Sequence, residues 1–167
     1  MSIQEKTDQL IDRLLASPAN FASEIDDYDV NLDIVGTHGR TPLMVASSEG
    51  LADVFEILLT KGASVSTTGN GLLTALHEAS ANGHTHIAMR LIELGATVDA
   101  ETIDKATPLM CAAAWGQLEV AKLLIGRGAD RLRIDSTGAT AADIAREKGE
   151  DEIADLLCAK IKTEGLP

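Results

Sequence analysis

Four histidines, two cysteines, a single tryptophan and an acidic stretch are the residues of this chain whose types could do chemistry. His77, His84 and His86 are close in sequence, and His84-x-His86 is a spacing that could open a metal pair. No nearby cysteine completes a zinc set. His38 stands apart and reads as solvated. Cys111 lies in the small-residue run 111–114 and reads as a packing residue, while Cys158 falls on the last predicted helix. Buried cysteines are inert as a rule, so a catalytic cysteine is not expected. There is no G-x-S-x-G, Walker A or G-x-G-x-x-G run. Gly126-Arg127-Gly128 follows a helical pattern rather than a strand, and reads as a helix terminator. Glu24, Asp26, Asp27, Asp29 and Asp33 could bind calcium by type, yet they lack the glycine and closing glutamate of an EF-hand loop. They read as a solvated loop or as a contact for a basic partner. These residues point to a chain without catalysis, cofactor or metal.

Whatever positions them must fit a chain of 167 residues with net charge −12, 45% hydrophobic residues and only 2% aromatics. That length fits one domain with a real core, filled largely by small side chains. The acidity argues against nucleic acid, which demands a basic face, and against anionic membranes. The longest apolar run, Leu109 to Trp115, has seven residues, against the roughly 18 of a membrane span. The first residues lack the basic and apolar regions of a secretory signal. The expectation is a cytoplasmic protein with reduced cysteines.

Internal repetition supplies the elements. Thr41-Pro42-Leu43-Met44 recurs as Thr74-Ala75-Leu76-His77, as Thr107-Pro108-Leu109-Met110 and weakly as Thr140-Ala141-Ala142-Asp143, 33 residues apart each time. Gly50, Gly83, Gly116 and Gly149 share this period, as do the pairs beginning at Gly62, Gly95 and Gly128. In each unit the threonine opens a short helix as its N-cap, and proline suits the first turn. A glycine ends it. A second helix follows, with apolar residues such as Val54, Ile57 and Leu58, or Val120, Leu123 and Leu124, at i, i+3, i+4 spacing. One pair buries too little alone, so neighbours must stack. Ala46, Ala79 and Ala112 let the helices approach closely.

In these motifs the chain resembles the ankyrin family, over about residues 34 to 165. The unit holding Thr74, Leu76, His77, Ala79, Gly83, His84, Gly95 and Ala96 is closest to the pattern. The resemblance implies an all-α solenoid of stacked antiparallel helix pairs with projecting hairpin fingers. It also implies a concave recognition surface, a linking role for His77 between neighbouring turns, and His84 at the start of a second helix. The units expected are an N-terminal cap over 1–33, full repeats over 34–66, 67–99 and 100–132, and a C-terminal cap over 133–163. The ends carry −9 of the −12 charge, as water-facing caps should. In the N-terminal cap, residues 3 to 15 read as an amphipathic helix with Ile3, Leu10, Ile11, Leu14 and Leu15 inward, and a second short helix follows Pro18. The C-terminal cap turns Ile144, Ile153, Leu156 and Leu157 inward, and Lys162 to Pro167 reads as a frayed tail.

Several positions depart from the family pattern. The glycine two residues before the threonine is present at Gly39 and Gly138 but replaced by Leu72 and Lys105, so unusual fingers are expected there. Arg90 stands where other second helices carry Ile57, Leu123 or Leu156. Met44 and Met110 stand where His77 does. The first finger, counted from Val30 to Thr41, runs longer than its counterparts from Val65 and Val98.

Trp115 falls at the end of a first helix, where the equivalent residues are Glu49, Asn82 and Lys148. A large aromatic at an otherwise polar position is either packed sideways on a neighbour or an interface anchor. Register extends this surface to Thr37, His38 and Arg40, to Asn70 and Leu73, to Ile103 and Asp104, and to Ser48, Glu49, Asn82 and Ala114. Leu73, Ile103 and Trp115 would form an apolar centre with a polar rim, the anatomy of a protein-binding patch. The expected function is non-catalytic binding of a partner protein by a monomer, as inhibitor, antagonist, assembly chaperone or adaptor. A scaffold bridging two proteins is the alternative, followed by a small-molecule, metal-binding or enzymatic member of the family.

Overall fold

The structure, a computed structural model, describes residues 2–25 and 31–159. Its helices run in chain order as α1 (Ile3–Ala16), α2 (Phe21–Glu24), α3 (Pro42–Ser48), α4 (Ala52–Thr60), α5 (Ala75–Ala81), α6 (Thr85–Glu93), α7 (Pro108–Ala114), α8 (Leu118–Gly126), α9 (Ala141–Lys148) and α10 (Asp151–Cys158). The starts of α3, α5, α7 and α9 follow from one device. The Thr41, Thr74, Thr107 and Thr140 hydroxyls accept from the backbone N–H three residues on, satisfying a donor that the helix cannot.

Two rows of helices result. α1, α3, α5, α7 and α9 stack side by side as the inner row; α2 packs on α4, α6 on α8 and α8 on α10 in the outer row. Leu43, Ala46, Leu76, Ala79, Leu109 and Ala112 meet Val54, Leu58, Ile87, Leu91, Val120 and Leu124 in one continuous core. Alanines at the crossings bring backbones close, and the core aromatics are Phe21 and Phe55 alone among the described residues. Arg90 stays out of this core and donates from Nε to Glu56 Oε1 of the preceding unit at 2.9 Å. Its register position is only partly buried in the other units, so a cation fits there.

Between the helix pairs the chain projects four tight fingers. Each is closed by a backbone bond, from Gly36 N to Arg40 O, Gly69 N to Leu73 O, Thr102 N to Ala106 O and Asp135 N to Ala139 O. The fingers are also tied to one another. Asn70 N donates to Gly39 O, Ile103 N to Gly71 O and Ser136 N to Asp104 O, at 2.8 to 2.9 Å. The first finger has no finger before it, and Asp8 of α1 substitutes. Its carboxylate accepts from Thr37 N at 2.9 Å and Thr37 Oγ1 at 2.7 Å. Thr37 is the register equivalent of Asn70, Ile103 and Ser136.

Some sequence expectations change. The first finger is not long: Leu32, buried, occupies the position of Val65 and Val98, and from Leu32 to Thr41 the spacing is the usual nine. Val30, from which the longer count starts, lies outside the described residues, as do Asp26, Asp27, Asp29 and the tail from Lys162 to Pro167. Leu72 and Lys105 take the same left-handed φ, 62° and 58°, as Gly39 and Gly138. Tight fingers demand that conformation whichever residue occupies the site. Only the second finger is unusual, with Gly71 also left-handed inside a 3-10 turn over Asn70–Leu72. In α1, Leu10, Ile11 and Leu14 are buried together with Thr7 on one helical face, but Ile3 and Leu15 face solvent, Leu15 because it is one residue, about 100°, round the helix from Leu14. At the other end, Ile153 and Leu157 are buried, with Ile144 and Leu156 packed on the core.

Candidate functional site

The inner helices leave one face open. On α3 the open positions are Ser48 and Glu49; on α5, Glu78, Ala81 and Asn82; on α7, Cys111, Ala114 and Trp115. These recur at i, i+3, i+4, so they form one stripe per helix. The fingers stand at its N-terminal edge. Arg40, at the base of the first finger, reaches across to α5 and pairs with Glu78, Nη1 to Oε1 at 3.6 Å. Burial pushes the Glu78 carboxyl above its ordinary range, opposed by the Arg40 charge and a hydrogen bond from Ser48. Asn82 Nδ2 donates to Ser48 Oγ at 3.3 Å and to Glu78 O at 2.9 Å. Arg40, Glu78, Ser48 and Asn82 are thus one polar network joining two repeats.

The predicted surface residues are distributed around this network. Arg40 and Asn82 belong to it. Glu49 is exposed at the end of α3. His38 is exposed on the first finger, and Asp104 is exposed on the third, where its carbonyl holds the fourth. Leu73 is half-buried, its carbonyl used to close its own finger. Ile103 is 73% exposed and Trp115 69%. Trp115 caps α7 at the end opposite its finger, so the two large apolar groups stand apart, about 10 Å of helix between them.

Glu78 was absent from the sequence-derived surface. A signal existed, because its register equivalents are Val45, Cys111 and Ile144. A carboxylate among apolar residues is as anomalous as a tryptophan among polar ones.

The buried groups that suggested chemistry serve structure instead, while Cys158 is exposed and its Sγ accepts from Arg146 Nη2 at 2.7 Å. His77 is buried, and its Nε2 lies 3.1 Å from Ala106 O in the next unit. A carbonyl only accepts, so Nε2 carries the proton and Nδ1 accepts from the Thr74 N–H at 3.3 Å. Burial holds its pKa below the ordinary 6.5. His84 Nε2 likewise donates to Ser48 O at 2.9 Å. Its ring covers Gly50, where φ is +70° and a Cβ would come within 2.5 Å, so that glycine is required twice over. His86 is exposed. Burial, with Glu78 adding repulsion, pushes the Cys111 thiol up to about 11, leaving it protonated at neutral pH. Among the described residues, no three His, Cys, Asp or Glu side chains are grouped to hold a metal ion. No helix among them is long and apolar enough to cross a membrane.

With helix pairs, finger ladder and linking histidines in place, comparison with known families is decisive. A model described as ankyrin repeats in three copies matches residues 76–164, and one described as an ankyrin repeat matches residues 38–70. The chain belongs to the ankyrin repeat family. The search of curated proteins finds no match. Ankyrin repeats are generally protein–protein interaction modules and typically non-catalytic.

Proposed function

We propose that this ankyrin protein binds a partner protein through the open face of its inner helices, with Trp115 as anchor, and acts by occupying that partner. Inhibition, antagonism, escort of a subunit during assembly, or adaptation between proteins would each follow from occupancy alone. The observation that carries the reading is Trp115: 69% exposed, on the face where the family recognises partners, at a position polar in every other unit. Exposing an indole to water is unfavourable unless something covers it. The repeats make the surface rigid, which lowers the ordering cost of binding. The two free cysteines support a reducing compartment, and the cytoplasm is proposed as the place of action.

The test is affinity capture from the source cells with wild type beside Trp115→Ala, followed by binding measurements on the purified partner. We expect Trp115→Ala to lose about 2 kcal/mol of affinity, some thirtyfold, while its melting temperature hardly moves. Unchanged affinity, or a mutant that unfolds, overturns the anchor role.

A further inference from the structure

An open cavity of about 750 Å³ lies between the last full repeat and the C-terminal cap. Pockets for small ligands run from about 300 to 1,000 Å³. Ile125 of α8, Ala129, Ala142 of α9 and Leu157 of α10 form its apolar wall, and Leu132, 81% exposed, extends that wall to the rim. The cavity shares no residue with the open face of α3, α5 and α7.

Three of its lining residues depart from register. Arg131 stands where earlier units have Leu32, Val65 and Val98, and Arg146 where they have Ser47, Ser80 and Ala113. Leu132 stands where they have Asp33, Ser66 and Asp99. The carboxylates of Asp33 and Asp99 accept from the Ser64 and Asp130 N–H groups, which a leucine cannot do. The charges of the lining are Asp130, Arg131 and Arg146. Asp130 accepts the Leu132 N–H at 2.9 Å and faces Arg133 at 4.0 Å. Arg146 is paired with Asp143 at 3.2 Å. Arg131 is half-buried and uses Nη1 alone, on the carbonyls of Leu156 and Ala159 that end α10. No carboxylate among the described residues pairs with it, so its Nε and Nη2 edge is left as a two-donor fork.

Such a fork matches the two oxygens of a carboxylate. A phosphate dianion fits less well, because Asp130 stands in the same lining and repels the second charge. We propose that this cavity binds a small amphipathic monocarboxylate, its head on the free edge of Arg131 and its apolar chain along Ile125, Ala142, Leu157 and Leu132. The site is independent of the partner-binding face, so Trp115→Ala should leave it intact.

The probe is decanoate, kept below its micelle concentration, in calorimetric titration of the full chain. Decanol carries the chain without the charge, and butyrate the charge without the chain. We expect decanoate to saturate one site per protein, with both controls at least about tenfold weaker. Cys158 lines the cavity and is exposed, so bound decanoate should slow its reaction with a disulfide reagent. Arg131→Gln should weaken decanoate about tenfold and leave decanol unchanged. Should that variant fail to fold, Leu132→Asp, which restores the residue of the earlier units at an exposed position, replaces it and should also weaken decanoate about tenfold by repelling the head and shortening the wall. Absence of decanoate binding overturns the proposal, as does decanol binding equally well. Uptake at several sites, indifferent to the folded variants, overturns it too, since apolar adsorption alone would explain it. None of these failures touches the protein-binding reading, which is tested at Trp115.

Discussion

His77 shows what a single side chain does in this solenoid. Its neutral ring accepts at Nδ1 and donates from Nε2 across the junction to the next unit, and protonation would place a charge in a buried site. Because its folded pKa is depressed below 6.5, the unfolded chain takes up the proton first on acidification. Its contribution is therefore full above pH 6.5 and is lost as pH falls through that value toward the lower folded one. Met44 and Met110 occupy the same register positions, which makes His77→Met a packing-compatible test. Melting curves at pH 7.5 and 5.5 should show a smaller acid loss in His77→Met than in wild type. An equal loss in both would show that another group controls stability there. Glu78, shifted the opposite way, favours the folded state as it protonates and is present in both proteins, so it does not mimic this difference.

At the scale of elements, the fingers are repeated turns whose geometry outranks residue preference. Lys105 is exposed yet held at φ 58°, a conformation that costs an L-residue about 1–2 kcal/mol. Glycine avoids that cost but loses more chain entropy, about 0.5–1 kcal/mol. Lys105→Gly should therefore stabilise the protein by about 0.5–1 kcal/mol in urea denaturation, and a measurable destabilisation would mean that the lysine side chain makes compensating contacts. The finger ladder also explains Asp8. Internal fingers receive a carbonyl from the finger before them, and at the start of the row a carboxylate on α1 takes that place. Its partner Thr37 lies 29 residues away, and Asp8 stands in the N-terminal segment that carries none of the repeated motifs, so the repeat period does not point to it.

For the whole molecule, nearest-neighbour stacking means that each helix pair is stabilised chiefly by the pairs on either side. α9 and α10 cover α7 and α8, and they present a charged outer surface where internal units present another repeat. Arg146 illustrates the change: it is exposed, whereas its equivalents Ser47, Ser80 and Ala113 are fully buried. Deleting residues 133–167 should uncover the apolar sides of α7 and α8 and drive aggregation in size-exclusion chromatography. A monomeric truncation with an undiminished denaturation midpoint would remove the capping role from this segment.

The 33-residue period was enough to determine the helix pairs, their order and most of the core, because Thr, Gly and the apolar spacing each act within one turn or one unit. Trp115 and Ile103 were legible for the same reason, as departures from register. The pairing of Arg40 with Glu78, the replacement of a carbonyl by Asp8 and the left-handed turns at Leu72 and Lys105 were decided only by the tertiary structure. The turns depend on a finger geometry that overrides the preference of the residue in it, and the two contacts on how one unit is placed against the next, which is set by packing across the stack and not encoded in spacing along the chain.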